Sequence, residues 1–535
     1  MTTKRVLTKS QTLRGIISIF AVLSLLLTSH SALAASSMQT SNKVTNAERA
    51  ASSFSGSSAL EKTNNGKSLL ENGNGKSGMN GNPNNGGNNG NLGRDKGSTK
   101  INDRRSVGIN IVLKGVATPD IFAQISKFGT VTSIIHEINA LTLKTESGNL
   151  NKIRNLDFVK SANEDASRNI IPVVSNSSVD PSSLTDGFGS WNLDMINITD
   201  GTGDNTRREV DETGAGTYVA VIDTGLLKTW RAYFDESSIA SEFGAAFGGG
   251  GGERGTVSTQ PNKWELDQDS HGTHVTSTIL GFKQPTRTIT GVAPGAKVIP
   301  VKALGQNGSG WSSVVAAGIT YVANLKAGPL SGSPVIINMS LGGSTLDGME
   351  QVAIDYAISV GVIVVASAGN IGEGGMGYPG AYAPVISVAA AGWTGEWTDS
   401  TWWRNSDVAE NGSDDAYITD FSSRELAGQE LDVAAPGSWI VGPYQTNGQL
   451  SWYFLGGTSM ASPHVAGLAA LMMQKNGTMN QSTVEQKLKS STNSIAHRSA
   501  EVRPYLGQLP TTISWGDDAV GFGLVDAVQA LAAIP

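Results

Sequence analysis

The chain has 535 residues, 39 basic and 46 acidic, for a formal net charge of -7. That length exceeds one ordinary domain, a hydrophobic fraction of 39% lets most of it bury a core, and no basic stripe points to a nucleic-acid partner. With no cysteine, disulfides, thiolate metal sites and cysteine nucleophiles are excluded, while 65 glycines signal tight turns or a glycine-rich spacer.

In chain order, the first feature is Lys4, Arg5, Lys9 and Arg14, then an apolar run from 15 to 28 and the small-residue triplet Ala32-Leu33-Ala34. The run falls short of the ~20 residues a spanning helix needs, so residues 1–34 read as a cleaved export signal. The expected location is extracellular or periplasmic, with no membrane contact after cleavage. Residues 35–105 change character: from 72 to 91, nine of twenty residues are Asn and seven are Gly. Such a tract has too little to bury to offset the entropy of ordering it, and reads as a disordered spacer.

Apolar patterning resumes at 106. Residues 107–113 predict a strand, 119–128 a helix, 131–135 and 140–143 strands, 150–156 a helix, and 158–159 the start of a last strand. This β-α-β-β-α-β order over 106–168 is a small ferredoxin-like α+β pattern, which by itself says nothing of function. Residues 169–190 read as a linker. From 191 to 535, buried-strand runs recur at 218–222, 297–301, 335–339, 362–366, 385–390 and 431–434, with helical stretches at 311–325 and 349–360. That alternation predicts an α/β domain with a mainly parallel sheet and ligands beyond the carboxyl ends of its strands.

Three segments of this domain carry chemistry: Val219-Ala-Val-Ile-Asp223-Thr-Gly225, Asp269-Ser-His271-Gly-Thr-His274, and Gly456-Gly-Thr-Ser459-Met-Ala-Ser-Pro463-His464. A serine nucleophile needs a base, and the base needs an acid to fix its tautomer. Singly, each residue has a plainer alternative. Asp223 suits a turn, His271 or His274 a structural role, Ser459 a helix cap, and Asn370 the left-handed place of a Gly-Asn turn.

Taken with Gly291-Val-Ala-Pro294, Ser340-Leu-Gly-Gly343, Ala366-Ser-Ala-Gly-Asn370, Gly377-Tyr-Pro379 and Gly521-Phe-Gly-Leu-Val-Asp526, these segments resemble the subtilisin-like serine proteases over nearly all of 191–535. The resemblance implies a subtilisin-like three-layer α/β domain and a secreted serine endopeptidase. It implies Asp223 as orienting acid, His271 as general base, Ser459 as nucleophile and Asn370 as oxyanion donor, leaving His274 and His464 structural. Substrate backbone would lie along Gly308-Ser309-Gly310 and Ser340-Leu341-Gly342. Ile371 and Gly377 would border the pocket for the residue before the cut, favouring apolar side chains there, with Glu373 the one nearby charge.

By the same resemblance, 106–168 is an inhibitory pro-domain, an intramolecular partner removed by self-cleavage between 169 and 187. The remaining partners are protein or peptide substrates, and a monomer is expected. No cofactor is implied for the chemistry. Structural calcium is implied, at sites the residues do not fix; the loop 281–288 lacks the asparagine-rich pattern of calcium-holding relatives, and Lys283 and Arg287 oppose a cation there. The stretch 392–430, rich in Trp and acids, is longer than in compact relatives and extends the cleft, carries a different cation or packs as a loop onto the domain. A catalytically silent relative that only binds is the alternative function, which the intact Asp223, His271, Ser459 and Asn370 disfavour. A serine esterase is disfavoured by the missing Gly-x-Ser-x-Gly around Ser459.

Overall fold

The computed structural model describes residues 105–170, 172–174, 190–199, 207–248, 259–285, 287–393, 416–446, 449–496, 498–502 and 511–535. The expected signal segment, the spacer up to 104, most of the 169–190 linker and the centre of the 392–430 stretch lie outside the described residues.

Alternating side chains build a small N-terminal module. Its elements are β1 (Ser106–Leu113), α1 (Pro119–Ile125), β2 (Gly129–Ile135), β3 (Ala140–Glu146), α2 (Leu150–Arg154) and β4 (Val159–Glu164). The strands form an antiparallel sheet in the order β2-β3-β1-β4. Thr118 caps α1 by accepting from the Ile121 N–H, with Pro119 as first helical residue. The predicted helix 119–128 is shorter than expected: the chain leaves α1 after Ile125, and the Phe128 N–H closes on the Ile125 carbonyl in a tight turn. One sheet face carries Ile109, Ile111, Leu113, Leu141 and Leu143, which meet Ile125 and Ile153 in a core of the module's own. The opposite face carries Asn110, Val112 and Thr142, and Val112 joins a buried cluster that belongs mainly to the large domain.

Two short strands follow, β5 (Ser167–Asn169) and β6 (Val173–Val174), then α3 (Trp191–Asp194). The large domain continues through β7 (Tyr218–Asp223), β8 (Ala245–Ala246), α4 (His271–Leu280), β9 (Gly281–Lys283), β10 (Thr288–Thr290), β11 (Lys297–Lys302), β12 (Ser309–Trp311) and α5 (Ser312–Ala327). Next come β13 (Val335–Met339), α6 (Gly348–Ser359), β14 (Val362–Ser367), β15 (Ile386–Trp393), β16 (Ala416–Ile418), β17 (Val433–Pro436), β18 (Ile440–Thr446) and β19 (Gln449–Gly456). The chain ends with α7 (Thr458–Lys475), α8 (Gln481–Ser490), β20 (Thr492–Asn493), β21 (Ser499–Val502), β22 (Thr511–Ser514), β23 (Leu524–Val525) and α9 (Ala527–Ala532).

The central sheet runs β20-β23-β17-β15-β14-β13-β7-β11-β8, parallel except for β20 and for β16, which joins β15. Successive residues of β7 point to opposite faces. Val219 and Val221 pack with residues of α4 and α7, while Ala220 and Ile222 pack with those of α5 and α6. Both faces are covered, so the strands read as near-continuous apolar runs, and each buried Val or Ile contributes roughly 1.5–3 kcal/mol. The hairpin β18–β19 has no counterpart among the predicted elements, although Asn447-Gly448 between apolar runs is a hairpin signal. Asp223 ends β7, Ser340 follows β13 and Asn370 lies shortly past β14, so all three sit at one edge of the sheet.

Candidate active site

His271 opens α4 directly after Ser270, which takes a left-handed φ of 76°. The first turn of α4 presses onto the end of β7. A Cβ on Gly272 would lie 2.3 Å from the Gly225 carbonyl oxygen, so only glycine admits this approach. The imidazole Nδ1 of His271 lies 2.9 Å from both oxygens of Asp223, and both side chains are fully buried. A carboxylate only accepts, so Nδ1 carries the proton and Nε2 is left as a bare acceptor. Nε2 is buried without a hydrogen-bond partner among the described residues. Burial pulls the His271 pKa down, but the charge and hydrogen bond of Asp223, together with the charges of Asp269 and Asp267, outweigh it, and the net shift is upward. Two acids stand just ahead of His271. Asp267 accepts from the N–H groups of Asp269 (3.0 Å) and Ser270 (2.9 Å), and burial pushes it up to about 7.

Among the described residues, the other two buried histidines of this region have no carboxylate partner. His274 Nε2 lies 3.0 Å from the Ile440 carbonyl oxygen, and burial pushes its pKa down to about 3. His464 donates from Nδ1 to the Met460 carbonyl (2.8 Å) and accepts at Nε2 from the Asn192 amide (2.7 Å), with a pKa pushed down by burial to about 4.

Ser459 is the second residue of α7, and the capping position belongs to Gly457. Ser459 is therefore not the helix cap. Five residues into the helix stands Pro463, which has no N–H to give the Ser459 carbonyl. The Ser340 hydroxyl fills that gap, donating to the Ser459 carbonyl at 2.7 Å, and the Ser459 hydroxyl donates to the Ser340 carbonyl at 3.2 Å. The structure thus joins Asp223 to His271 and packs α4 against α7. It does not join Ser459 to His271: the serine hydroxyl is turned to Ser340.

Asn370 follows Gly369, whose φ is 112°, so the left-handed residue of this turn is the glycine and not Asn370. The Asn370 amide oxygen accepts from the Thr458 N–H (2.9 Å) and hydroxyl (2.8 Å). This fixes the amide with Nδ2 toward Gly457, where a Cβ would lie 3.2 Å away. A side-chain donor and the N-terminus of α7 therefore share one place, where negative charge is favoured.

Beside Ser459 lies a cavity of about 490 Å³ bordered by Leu341, Gly342, Asn370, Ile371, Met376 and Gly377. Ile371 is 56% exposed at its edge. Glu373 is also exposed and is not part of the lining. An extended segment runs alongside. β5 pairs antiparallel with β12, Ser309 facing Asn169 and Gly310 facing Arg168. On the other side, Asn169 and Gly342 exchange two N–H···O bonds (2.9 and 3.0 Å), and the Ile170 N–H reaches the Gly308 carbonyl (3.0 Å). A Cβ on Gly343 would fall 2.3 Å from the Ser167 carbonyl oxygen. Farther on, Val173 and Val174 pair with Gly456 and Leu455 of β19.

Some buried polar contacts here have no sequence signal. Asp165 takes the Ser313 N–H (3.0 Å) and hydroxyl (2.6 Å) at the start of α5. Asn110 donates to Asp165 (3.0 Å) and to Asp347 (2.7 Å), the N-cap of α6. Arg168 is fully buried against Glu350. These pairs lie far apart in sequence, and no periodicity links them.

For a metal, the carboxylates of Glu430, Asp432 and Glu485 converge within 4.8 Å. The Lys489 ammonium already lies among them at 2.7, 2.5 and 2.7 Å. A set that carries its own cation does not fit an added calcium. At the end of β9, just after α4, Lys283 pairs with Asp235 at 2.5 Å, again a protein cation on an acid.

Residues 214–512 match the Subtilase family. The chain is 34% identical over 286 residues to subtilisin DY of Bacillus licheniformis, spanning 53% of this chain and 85% of that protein. Against subtilisin E of Bacillus subtilis (strain 168) it is 35% identical over 285 residues, spanning 52% of this chain and 61% of that protein. Among solved structures, fervidolysin from Fervidobacterium pennivorans aligns with a TM-score of 0.58 at 22% identity, over 82% of this chain and 63% of that one. At that identity the likeness speaks for fold alone, a subtilisin-like α/β fold with a mostly parallel central sheet. Among the described residues, no helix is long and apolar enough to cross a membrane.

Proposed function

Because the chain belongs to the subtilase family and is a serine-type endopeptidase, we propose that it cuts peptide bonds with Ser459 as nucleophile, His271 as base and Asp223 as orienting acid. The observation that carries this reading is the Asp223–His271 pair, which leaves a bare, buried Nε2. When a peptide carbonyl enters, the Ser459 hydroxyl turns from Ser340 to Nε2 and gives up its proton as it attacks. Hydrogen bonds of this kind often tighten only with substrate present. The Asn370 amide and the Ser459 N–H would hold the oxyanion. A side-chain donor of this type is worth about 2.7–4 kcal/mol, a magnitude established on subtilisin itself. His271 then protonates the leaving amine, and water repeats the sequence on the acyl-enzyme.

The chain is read as an exported zymogen, with 1–34 as signal and 106–168 as inhibitor. The extended pairing of 167–170 with β12 and Gly342 supports this, since substrate backbone is expected on those same residues. The expected cut between 169 and 187 narrows to the bonds between Ile170 and Val173, where the segment passes from β12 to β19. Leu341, Ile371 and Met376 around an open cavity favour an apolar residue before the cut, by roughly 1.5–3 kcal/mol per buried side chain. A monomer acting on protein substrates completes the proposal. A fluorophosphonate should label Ser459 in the mature protein, and casein should be hydrolysed. A folded protein that does neither is a silent binding relative.

A further inference from the structure

We infer that Glu350 builds an arginine-selecting subsite into the cleft, so that the mature enzyme prefers substrates carrying Arg where β5 carries Arg168. The inference rests on the endopeptidase reading above and adds to it a substrate class.

Arg168 stands in the strand that pairs with β12, opposite Gly310. Its side chain is wholly removed from solvent, as is that of Glu350 at 1%. The guanidinium meets the carboxylate with two nitrogens, Nε at 3.0 Å from Oε1 and Nη2 at 2.5 Å from Oε2. Nη2 also donates to the Thr345 carbonyl (3.1 Å), and Nη1 to the Ser167 carbonyl (2.9 Å). Glu350 lies in the first turn of α6, a fixed part of the large domain. Among the described residues, Arg168 alone hydrogen-bonds its carboxylate, and the other charges that act on it, Asp347 and Asp165, are acids.

Once the module and its trailing segment leave, Glu350 loses the cation that covers it, and a substrate that covers it again with an apolar side chain buries the carboxylate without a counter-ion. An uncompensated buried charge is strongly unfavourable, so a substrate cation that restores the pair is bound in preference to an apolar side chain. The planar fork of arginine reaches both oxygens at once, whereas lysine brings a single point charge. With the scissile bond between 170 and 173, the selected arginine stands three to five residues before the cut. The same contact could serve only to latch the module, and the experiment separates the two.

Mature wild-type enzyme, titrated with a fluorophosphonate, is profiled on a peptide library randomised over the five residues before the cut. One fixed position among the third to fifth should favour Arg over Leu by about 30-fold in kcat/KM, the size expected for a desolvated charge pair, with Lys between them. Glu350→Gln should abolish that preference, and Glu350→Arg should turn it toward Asp and Glu. Enzyme that labels and cuts casein but shows no arginine preference at these positions overturns the subsite and leaves the protease intact. Wild type that neither labels nor cuts overturns both. The wild-type profile decides the matter even if a variant fails to fold.

Discussion

The surroundings of His271 and of His464 make the most instructive comparison in this molecule. Both imidazoles are fully buried in the large domain, and each heads or sits within a helix near the same sheet edge. Burial alone drives a histidine toward neutrality, and His464 shows it, with a pKa near 4 and both ring nitrogens used by neutral partners. His271 differs by the carboxylate bonded to its ring. Asp223, with the nearby charges of Asp269 and Asp267, reverses the direction of the shift, and its bond to Nδ1 leaves the far nitrogen unpaired. The lesson is that a base is made by the acid behind it, not by depth.

The comparison breaks most severely at His271. His271→Ala should lower kcat by about 10⁶, the loss established for subtilisin when its own base is removed, and Asp223→Asn by about 10⁴, because the amide would favour the wrong tautomer. Steady-state kinetics on a peptide substrate checks both. An Asp223→Asn enzyme with near-normal kcat would show that the carboxylate is only structural. A smaller effect is expected at the oxyanion position. Asn370→Ala should cost about 10² to 10³ in kcat with little change in KM, the size of loss seen in subtilisin for the matching donor. Equal losses in kcat at several unrelated cleft positions would argue against a specific role.

At His464 the expected change is in stability. His464→Leu leaves the buried Asn192 amide without its acceptor, which should lower unfolding free energy by about 1–3 kcal/mol. Turnover of the folded enzyme should stay within about twofold, since this histidine does not line the cavity beside Ser459. Denaturant unfolding with parallel kinetics separates the two effects, and a 10³-fold loss of turnover would undo the distinction drawn between the histidines.

The pH dependence sharpens the same contrast. His271 must be neutral to take the serine proton, and its pKa is raised, so kcat/KM should rise with pH through a midpoint above the ordinary ~6.5. For His464 the folded pKa near 4 lies below the unfolded value, so folding stability is intact above pH ~6.5 and is lost as pH falls toward 4, by about 3 kcal/mol at most. Activity should thus fall before structure does on acidification. A kinetic midpoint well below 6.5 would contradict the role of Asp223.

Much of this was legible in the chain. The six buried-strand runs of the large domain announce its sheet, because strands covered on both faces must be apolar throughout. Asp223, His271 and Ser459 stand out because each sits in a glycine-flanked turn at the end of an element. What escaped the sequence has a common cause, partnership across distance. Arg168 and Glu350 are separated by 182 positions, and neither lies in a pattern that foretells the other. The clasp between Ser340 and Ser459 was open to inference, since Pro463 leaves the Ser459 carbonyl in need of a donor, but only the fold shows which hydroxyl supplies it. The readings of Ser459 as a helix cap and Asn370 as the left-handed residue failed for one local reason. In both turns the preceding glycine segment takes that place, Gly457 as cap and Gly369 at positive φ.

Ser459 is proposed to cut the segment that lies in its own cleft. Intact-mass and N-terminal analysis of wild type and Ser459→Ala, both made in a protease-deficient host, tests it directly. Wild type should yield a mature chain beginning between residues 171 and 173, while Ser459→Ala should persist as a precursor that still carries 106–168. Normal maturation of the Ser459→Ala protein would contradict the account.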